Sequence, residues 1–357
     1  MAQDIKKLIL DKLAKDGTVR VADISGATGL SRAYVHRFFQ QLKEEGRIVL
    51  IGKANTARYV MPHTGGSIAD IPVKIHRLLR NKGLRENVVL DSIKDEGSWF
   101  AKLAKNVGEI VEYSFTEMVN NAIEHSGTDT IDIFVRESKD HLQFEISDKG
   151  VGIFNNIMAK KGLNTTLDAI QDLLKGKQTT APEAHSGEGI FFTSKVVDHF
   201  SIRSSGKWLV IDNERNDVYV KDSPLKTSGT KISYSIRFDS TRILSEVFRR
   251  YTDPDSVEFT KTAVSVRLYK NNVQYVSRSQ ARRIVVGLEQ FKTIELDFQG
   301  IDTVGQAFAD EIFRVWHARH PEIRIIPKNM NENVEFMIKR AGWVDNLSTT
   351  TDLSSSM

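Results

Sequence analysis

Cysteine is absent from the chain, which excludes disulfides and every thiolate metal site. No stretch approaches the about 18 to 20 apolar residues that a membrane span needs. The first residues, MAQDIKKLILDKLAKDG, mix acids and bases instead of forming a hydrophobic leader. From these absences we expect a cytoplasmic protein with no membrane partner. The pattern GxxxxGK(S/T) is missing too, so a P-loop is excluded as a phosphate cradle.

What is present is ordinary globular sequence, 40% hydrophobic and 27% charged, and 357 residues suffice for two or three domains. The net charge is only +4, but it is unevenly placed. Residues 1–61 hold eleven Lys or Arg against six Asp or Glu, leaving the remainder near neutral. A basic N-terminal module on a balanced body points to a polyanion as one partner.

The first sixty residues read as three helices and a hairpin. Ile5, Leu8, Ile9 and Leu13 are spaced as on a helix that stops at Asp16-Gly17; a second helix covers Val21 to Ala27 and ends at Gly29. Ser31 caps a third, terminated at Gly46, whose Val35, Phe38, Phe39 and Leu42 face inward and leave Arg32, Tyr34, His36 and Arg37 outside. RIVLIG and ARYVM then form two strands around a basic tip at Lys53. This resembles the winged helix-turn-helix domains of bacterial regulators over 1–62. The resemblance implies double-stranded DNA as a partner, with Arg32, Tyr34, His36 and Arg37 in the major groove and Lys53 on backbone phosphate. A winged helix used for protein contacts alone is the competing reading. The polar, glycine-bearing PHTGGSIADI introduces a linker over 63–75.

Between 76 and 240 the patterns change. Val107, Val111, Phe115, Met118, Val119 and Ala122 recur at spacings of three and four, predicting an amphipathic helix. Its other side carries Glu117, Asn120, Asn121 and Glu124. Asparagine is a poor helix former; with Glu117 and Asn121 four apart, the two share a face and can act on one object. By itself that spacing also fits a solvated polar face. TIDIFVRE and LQFEISD follow as alternating strands joined by a hairpin, so the sheet is at least partly antiparallel. The second strand ends on Asp148, ahead of Gly150 and Gly152, an acid that can accept from an exocyclic amine beside glycines that admit a ligand. Gly187 and Gly189 precede an apolar helical run, offering backbone N–H groups to phosphate. The polar GKQTTAPEAHSG before it has the composition of a mobile lid, and Gly229-Thr230 opens a further alternating strand.

Glu117/Asn121, Asp148/Gly150/Gly152, Gly187/Gly189 and Gly229/Thr230 resemble, in order and context, the N, G1, G2 and G3 boxes of the GHKL ATPases, which include gyrase B, histidine kinases and anti-sigma-factor kinases. The version EMVNNAIEHS is similar to that of the anti-sigma kinases. The resemblance implies an α/β sandwich that binds ATP and Mg2+. It places Asn121 on the metal, Asp148 on adenine with Thr230 in support, the glycines along the phosphates, and Glu117 as general base. His76 lacks the acidic residue that follows a phosphoacceptor histidine and reads as a surface histidine; His125 is open between capping and approach to phosphate. Phe191 and Phe192 depart from the pattern, standing where histidine kinases often carry a further glycine.

From 250 to 345, strand and helix patterns alternate three times, predicting an α/β layer. IELDFQGIDTVGQAFADEIF resembles the central strand and helix of STAS domains. In that family a phosphorylatable serine sits at the strand-to-helix junction. Here the junction reads Val304-Gly305-Gln306-Ala307, with Thr303 the nearby hydroxyl, so a docking or dimerising surface is expected. The polar tail 346–357 reads as disordered. The expected whole is a three-domain, ATP-dependent, DNA-binding regulator. Its competitors are a protein serine/threonine kinase of anti-sigma type acting on a STAS partner, and a DNA-bound scaffold with structural ATP.

Overall fold

The computed structural model describes residues 2–45, 47–51, 57–61, 73–96, 99–176, 188–223, 228–256, 258–269 and 275–343. Lys53, Gly187, most of the lid segment, most of the linker and the tail lie outside the described residues.

Helices α1 (Ala2–Asp16), α2 (Val21–Thr28) and α3 (Arg32–Glu44) enclose a small core of Ile9, Ile24, Val35, Phe39 and Leu42. Gly29 takes the left-handed conformation after α2, and the Ser31 hydroxyl accepts from the Tyr34 N–H at the start of α3. Strands β1 (Val49–Ile51) and β2 (Arg58–Val60) pair antiparallel as the wing, and Val19 bridges to Tyr59 as a short third strand.

The middle unit is a seven-stranded sheet with helices on one face. Strands β3 (Lys74–Arg80), β4 (Thr130–Glu137), β5 (His141–Asp148), β6 (His199–Ser204), β7 (Lys207–Asp212), β8 (Asp217–Asp222) and β9 (Thr230–Arg237) run in the order β3-β4-β5-β9-β6-β7-β8. Every pairing is antiparallel. Strand β3 begins two residues inside the segment read as linker. The alternation in β4, β5 and β9 buries Ile131, Ile133, Val135, Leu142, Phe144, Ile146, Ile232, Tyr234 and Ile236 on one face. Against it lies α5 (Lys105–His125), with α4 (Glu86–Lys94), α6 (Ile153–Lys161), α7 (Thr166–Lys175) and α8 (Gly189–Val196) around it.

After α9 (Leu244–Tyr251) comes a parallel sheet of β10 (Lys261–Ser265), β11 (Thr293–Asp297) and β12 (Arg324–Lys328), in that order, with α10 (Arg278–Val285), α11 (Gln306–Asp310) and α12 (Glu332–Arg340). The last turn of α11 widens into a π-helical stretch over Glu311–Trp316. This unit shares its core with the middle one. Phe191 and Phe192 of α8 join the cluster that holds Phe259, Phe291, Leu296 and Phe308. The Phe191 ring lies 5.0 Å from Tyr251 and 4.7 Å from Phe259; Phe192 lies 4.4 Å from Phe248. Lys175 adds a polar strut: its buried ammonium donates to the carbonyls of Arg283 and Val286, and its own carbonyl accepts from the Thr262 hydroxyl. Burial lowers this ammonium to a pKa of about 8.

Phe192 is fully buried at the junction of both cores. Phe192→Ala is expected to cost about 3 to 5 kcal/mol. Urea unfolding of single-tryptophan versions retaining Trp208 in the middle sheet or Trp316 in the C-terminal unit checks this. Both transitions should move to lower denaturant, whereas a shift in one alone would mean the cores are independent.

Candidate functional site

The polar side of α5 divides: Glu117, Asn120 and Asn121 are partly covered, and Glu124 is exposed. Asn121 donates its Nδ2 to the Glu117 carbonyl at 2.8 Å, one turn back. That bond meets the conflict between an asparagine amide and a helix by folding it onto the helix's own backbone, which assigns the amide oxygen to whatever lies in front. Glu117 packs on the first residue of α8. A Cβ built on Gly189 would lie 1.9 Å from Glu117 Oε2, so only glycine lets the carboxylate occupy this place. Tyr113, one turn before Glu117, has its phenol pushed well up by burial first and then by the Glu117 and Glu188 carboxylates, which places two acids around one ring.

At the other end of α5 sits Asp148, buried at the end of β5. Its Oδ1 accepts from the Gly150 N–H at 2.8 Å and the Thr230 N–H at 3.3 Å. The glycines are there for contact. A Cβ on Gly150 would come within 1.7 Å of the Ser126 carbonyl oxygen, and one on Gly229 within 2.2 Å of the Asp148 carbonyl. Gly152, at φ 84°, starts α6, whose Ile153 N–H is accepted by the Thr230 hydroxyl at 2.9 Å. Asp148, Gly150, Gly152, Gly229 and Thr230 thus meet in one place from two separate stretches of chain, against the Ser126 carbonyl from a third.

Ser126, the cap residue that Gly150 touches, is nine positions beyond Glu117. At about 1.5 Å per residue Ser126 lies roughly 13 Å along α5 from Glu117, so Asp148 and Glu117 stand at well-separated points of one cleft wall. An elongated ligand with an amine-bearing base at one end and phosphates at the other matches that layout. The Asp148 carboxylate has one oxygen fixed by two backbone donors, leaving the other to accept from an amine. The Asn121 amide oxygen is a hard ligand suited to Mg2+.

In the winged helix, Arg32, Tyr34, His36 and Arg37 all lie on the exposed face of α3. Tyr34 packs edge-on against Phe38 at 5.2 Å, and His36 Nε2 lies 3.1 Å from Gln40 Nε2. They form a separate surface, on a different unit from the α5 site. His76 is paired with Asp132 at 2.7 Å and stacked on Phe134, as a surface histidine would be.

Three participants escape sequence reading. Ser126 enters through its backbone carbonyl, Ser204 donates its hydroxyl to the Gly229 carbonyl at 2.9 Å, and Glu188 stands at the cap of α8. Ser126 acts through backbone, so its residue type carries no signal; a lone strand-end serine such as Ser204 has no local pattern to mark its hydroxyl, and Glu188 sits inside the G2 stretch, where its acidity beside glycines is the available clue.

Burial raises the Asp148 carboxyl above the ordinary carboxylate range, against the pull of the Gly150 and Thr230 N–H groups. A group whose folded pKa is raised contributes stability while protonated and loses it as pH rises through that pKa. At pH 7 the charge therefore costs stability. Asp148→Asn keeps an amide oxygen for both N–H donors, so the ligand-free variant should melt at or above the wild-type temperature at pH 7, with the difference closing as pH falls toward 4. Differential scanning calorimetry across that range checks the sign.

Comparison with known proteins matches three stretches of the chain to families. The winged helix-turn-helix DNA-binding family matches residues 3–49, the histidine kinase-like ATPase domain matches 89–212, and a STAS-like domain of unknown function matches 280–335. No curated protein matches the chain. Among the described residues no helix is long and apolar enough to cross a membrane. A histidine kinase-like ATPase domain implies nucleotide binding, a winged helix DNA binding, and a STAS-like domain protein interaction. The chain joins a winged helix-turn-helix unit, a histidine kinase-like ATPase domain and a STAS-like domain in one polypeptide.

Proposed function

We propose that this protein is a cytoplasmic DNA-binding regulator in which Mg-ATP at the α5 site sets the position of α8, and through it the arrangement of the STAS-like domain and the DNA-reading unit. The observation that carries this reading is that α8 touches both ends of the path. Its first residue, Gly189, packs on Glu117, and two residues later Phe191 and Phe192 enter the core of the STAS-like domain. A shift of the Glu117 carboxylate is therefore a shift against a packed aromatic cluster, which moves as a unit because close-packed cores do not deform continuously.

In this reading Asp148 accepts a hydrogen bond from the exocyclic amine of adenine, and Thr230 holds Asp148 and α6 in place. Gly150, Gly152, Gly187 and Gly189 let backbone approach the nucleotide. Asn121 presents its amide oxygen to Mg2+, which when bound neutralises phosphate charge. Glu117 orients and takes the proton of the attacking hydroxyl, either a water or a protein side chain. The protein-hydroxyl case makes the chain a serine/threonine kinase for a STAS partner; γ-labelled ATP separates the two, giving free phosphate in one and labelled protein in the other.

Nucleotide binding, turnover and DNA affinity test the proposal. Glu117→Gln preserves size and helix, so it should bind Mg-ATP like wild type yet lose phosphoryl transfer by a factor on the order of 10² to 10⁴. Asn121→Ala should lose binding and turnover together, and Asp148→Asn should weaken ATP on the order of 10- to 100-fold, the value of a charged hydrogen bond of about 1.5 to 3 kcal/mol. The Glu117→Gln protein held with ATP should also show the DNA affinity of whichever state ATP favours. Wild-type turnover in this variant, or DNA affinity indifferent to nucleotide in every variant, would sink the reading. Independently, DNA binding by the winged helix should weaken steeply with salt, and Arg37→Ala should reduce the log–log slope by about 0.9.

A further inference from the structure

The seam between the winged helix and the ATPase domain gathers more positive charge than it neutralises. A cavity of about 290 Å³ there is lined by Arg20 and Arg58 from the winged helix and by Lys74, His76, Arg77 and Glu96 from the ATPase domain. Strand alternation explains the winged-helix side. Tyr59 turns inward against Phe39, so its neighbour Arg58 turns outward from that core. The opposing side is β3, the edge strand of the seven-stranded sheet. Glu96 is the one carboxylate among the described lining residues, and it is taken by the Arg77 guanidinium. His76 is already engaged by Asp132.

Two further observations show that the charges are crowded. The Arg58 Nε–H is buried and has no hydrogen-bond acceptor among the described residues. The Arg58 guanidinium is pushed down by burial and then by the charge of Arg20, and that of Arg77 by burial and then by the charge of Arg58. Arg58 thus feels Arg20 within the winged helix, and Arg77 feels Arg58 across the domain boundary. Arginine does not relieve such crowding by giving up a proton. The remedy left is an anion that accepts several N–H donors at once, and the tetrahedral oxygens of a phosphate match the guanidinium fork.

We infer that this seam is a binding site for a phosphate group, held by Arg20, Arg58, Lys74 and Arg77, which fastens the DNA-reading unit to the edge of the ATPase sheet. Unfilled, the like charges push the two units apart; filled, they become ligands of one ion. The phosphate is either that of a small free anion or a phosphodiester of bound DNA. The site is separate from the α5 site, and the inference does not depend on what binds there.

The test uses the full-length protein and inorganic pyrophosphate in EDTA, where Asn121 has no metal through which to hold phosphate. Calorimetry should give one binding site, and pyrophosphate should raise the melting temperature. Arg58→Met and Lys74→Met should each weaken binding at least tenfold; Lys74 is exposed, so its replacement does not threaten the fold. Arg58→Lys, which keeps the charge but loses the Nε–H, should recover part of the affinity. The source is read by adding duplex DNA. Displacement of pyrophosphate, with DNA affinity falling in Arg58→Met by the same factor, assigns the site to the phosphodiester; DNA that neither displaces it nor loses affinity assigns a free anion. Absence of pyrophosphate binding in wild type, or binding that both methionine variants leave unchanged, overturns the inference.

Discussion

The fit of one side chain against one backbone position governs this molecule: the Glu117 carboxylate lies where a side chain at 189 would be. Because position 189 is glycine, α8 can start against the polar side of α5, and that start sets where its buried residues fall. Val196 joins the middle core and Thr193 and Ser194 are buried beside it in sequence, while Phe191 and Phe192 point into the next one. At the far end, the Asn213 amide donates to the carbonyls of Ser194 and Val197, and Arg242 ties Asn213 to the buried Asp198. The helix is thus fixed at both termini and on both flanks, and only eight residues long.

Asp148 is maintained in a different way. Its carboxylate is costly where it sits, and its surroundings are built to keep it there: two backbone donors on one oxygen, glycines that bring those donors close, and Ser204 and Thr230 holding the glycine turns. An acid buried with, among the described residues, no partner of opposite sign is a poor stability device. Its persistence is intelligible as recognition of a donor that arrives from outside.

Much of this was legible because the signals were periodic. The three-and-four spacing of α5 and the strict alternation of β4, β5 and β9 gave element type, and glycines next to acids marked stretches that the fold brings together. The capped third helix and its exposed Arg32, Tyr34, His36 and Arg37 were equally plain, since Ser31 and Gly29 punctuate the chain where the structure turns. The meander β6-β7-β8 was not read. Its last strand is an edge with little burial, so alternation there has no core to report. Phe191 and Phe192 were seen as a departure from the kinase pattern, but their reason lay some sixty to a hundred residues ahead, in Phe248, Tyr251, Phe259 and Phe291. Nothing local in a sequence announces a partner at that distance.

The shared core also fixes a ratio. When an ATPase of this kind and a STAS-like module are separate chains, how many are engaged depends on how much of each the cell holds. Here the two phenylalanines and the Lys175 strut make the pairing intramolecular, at one to one and at an effective concentration set by covalent connection. Dilution, dosage and growth rate then drop out of the contact between them.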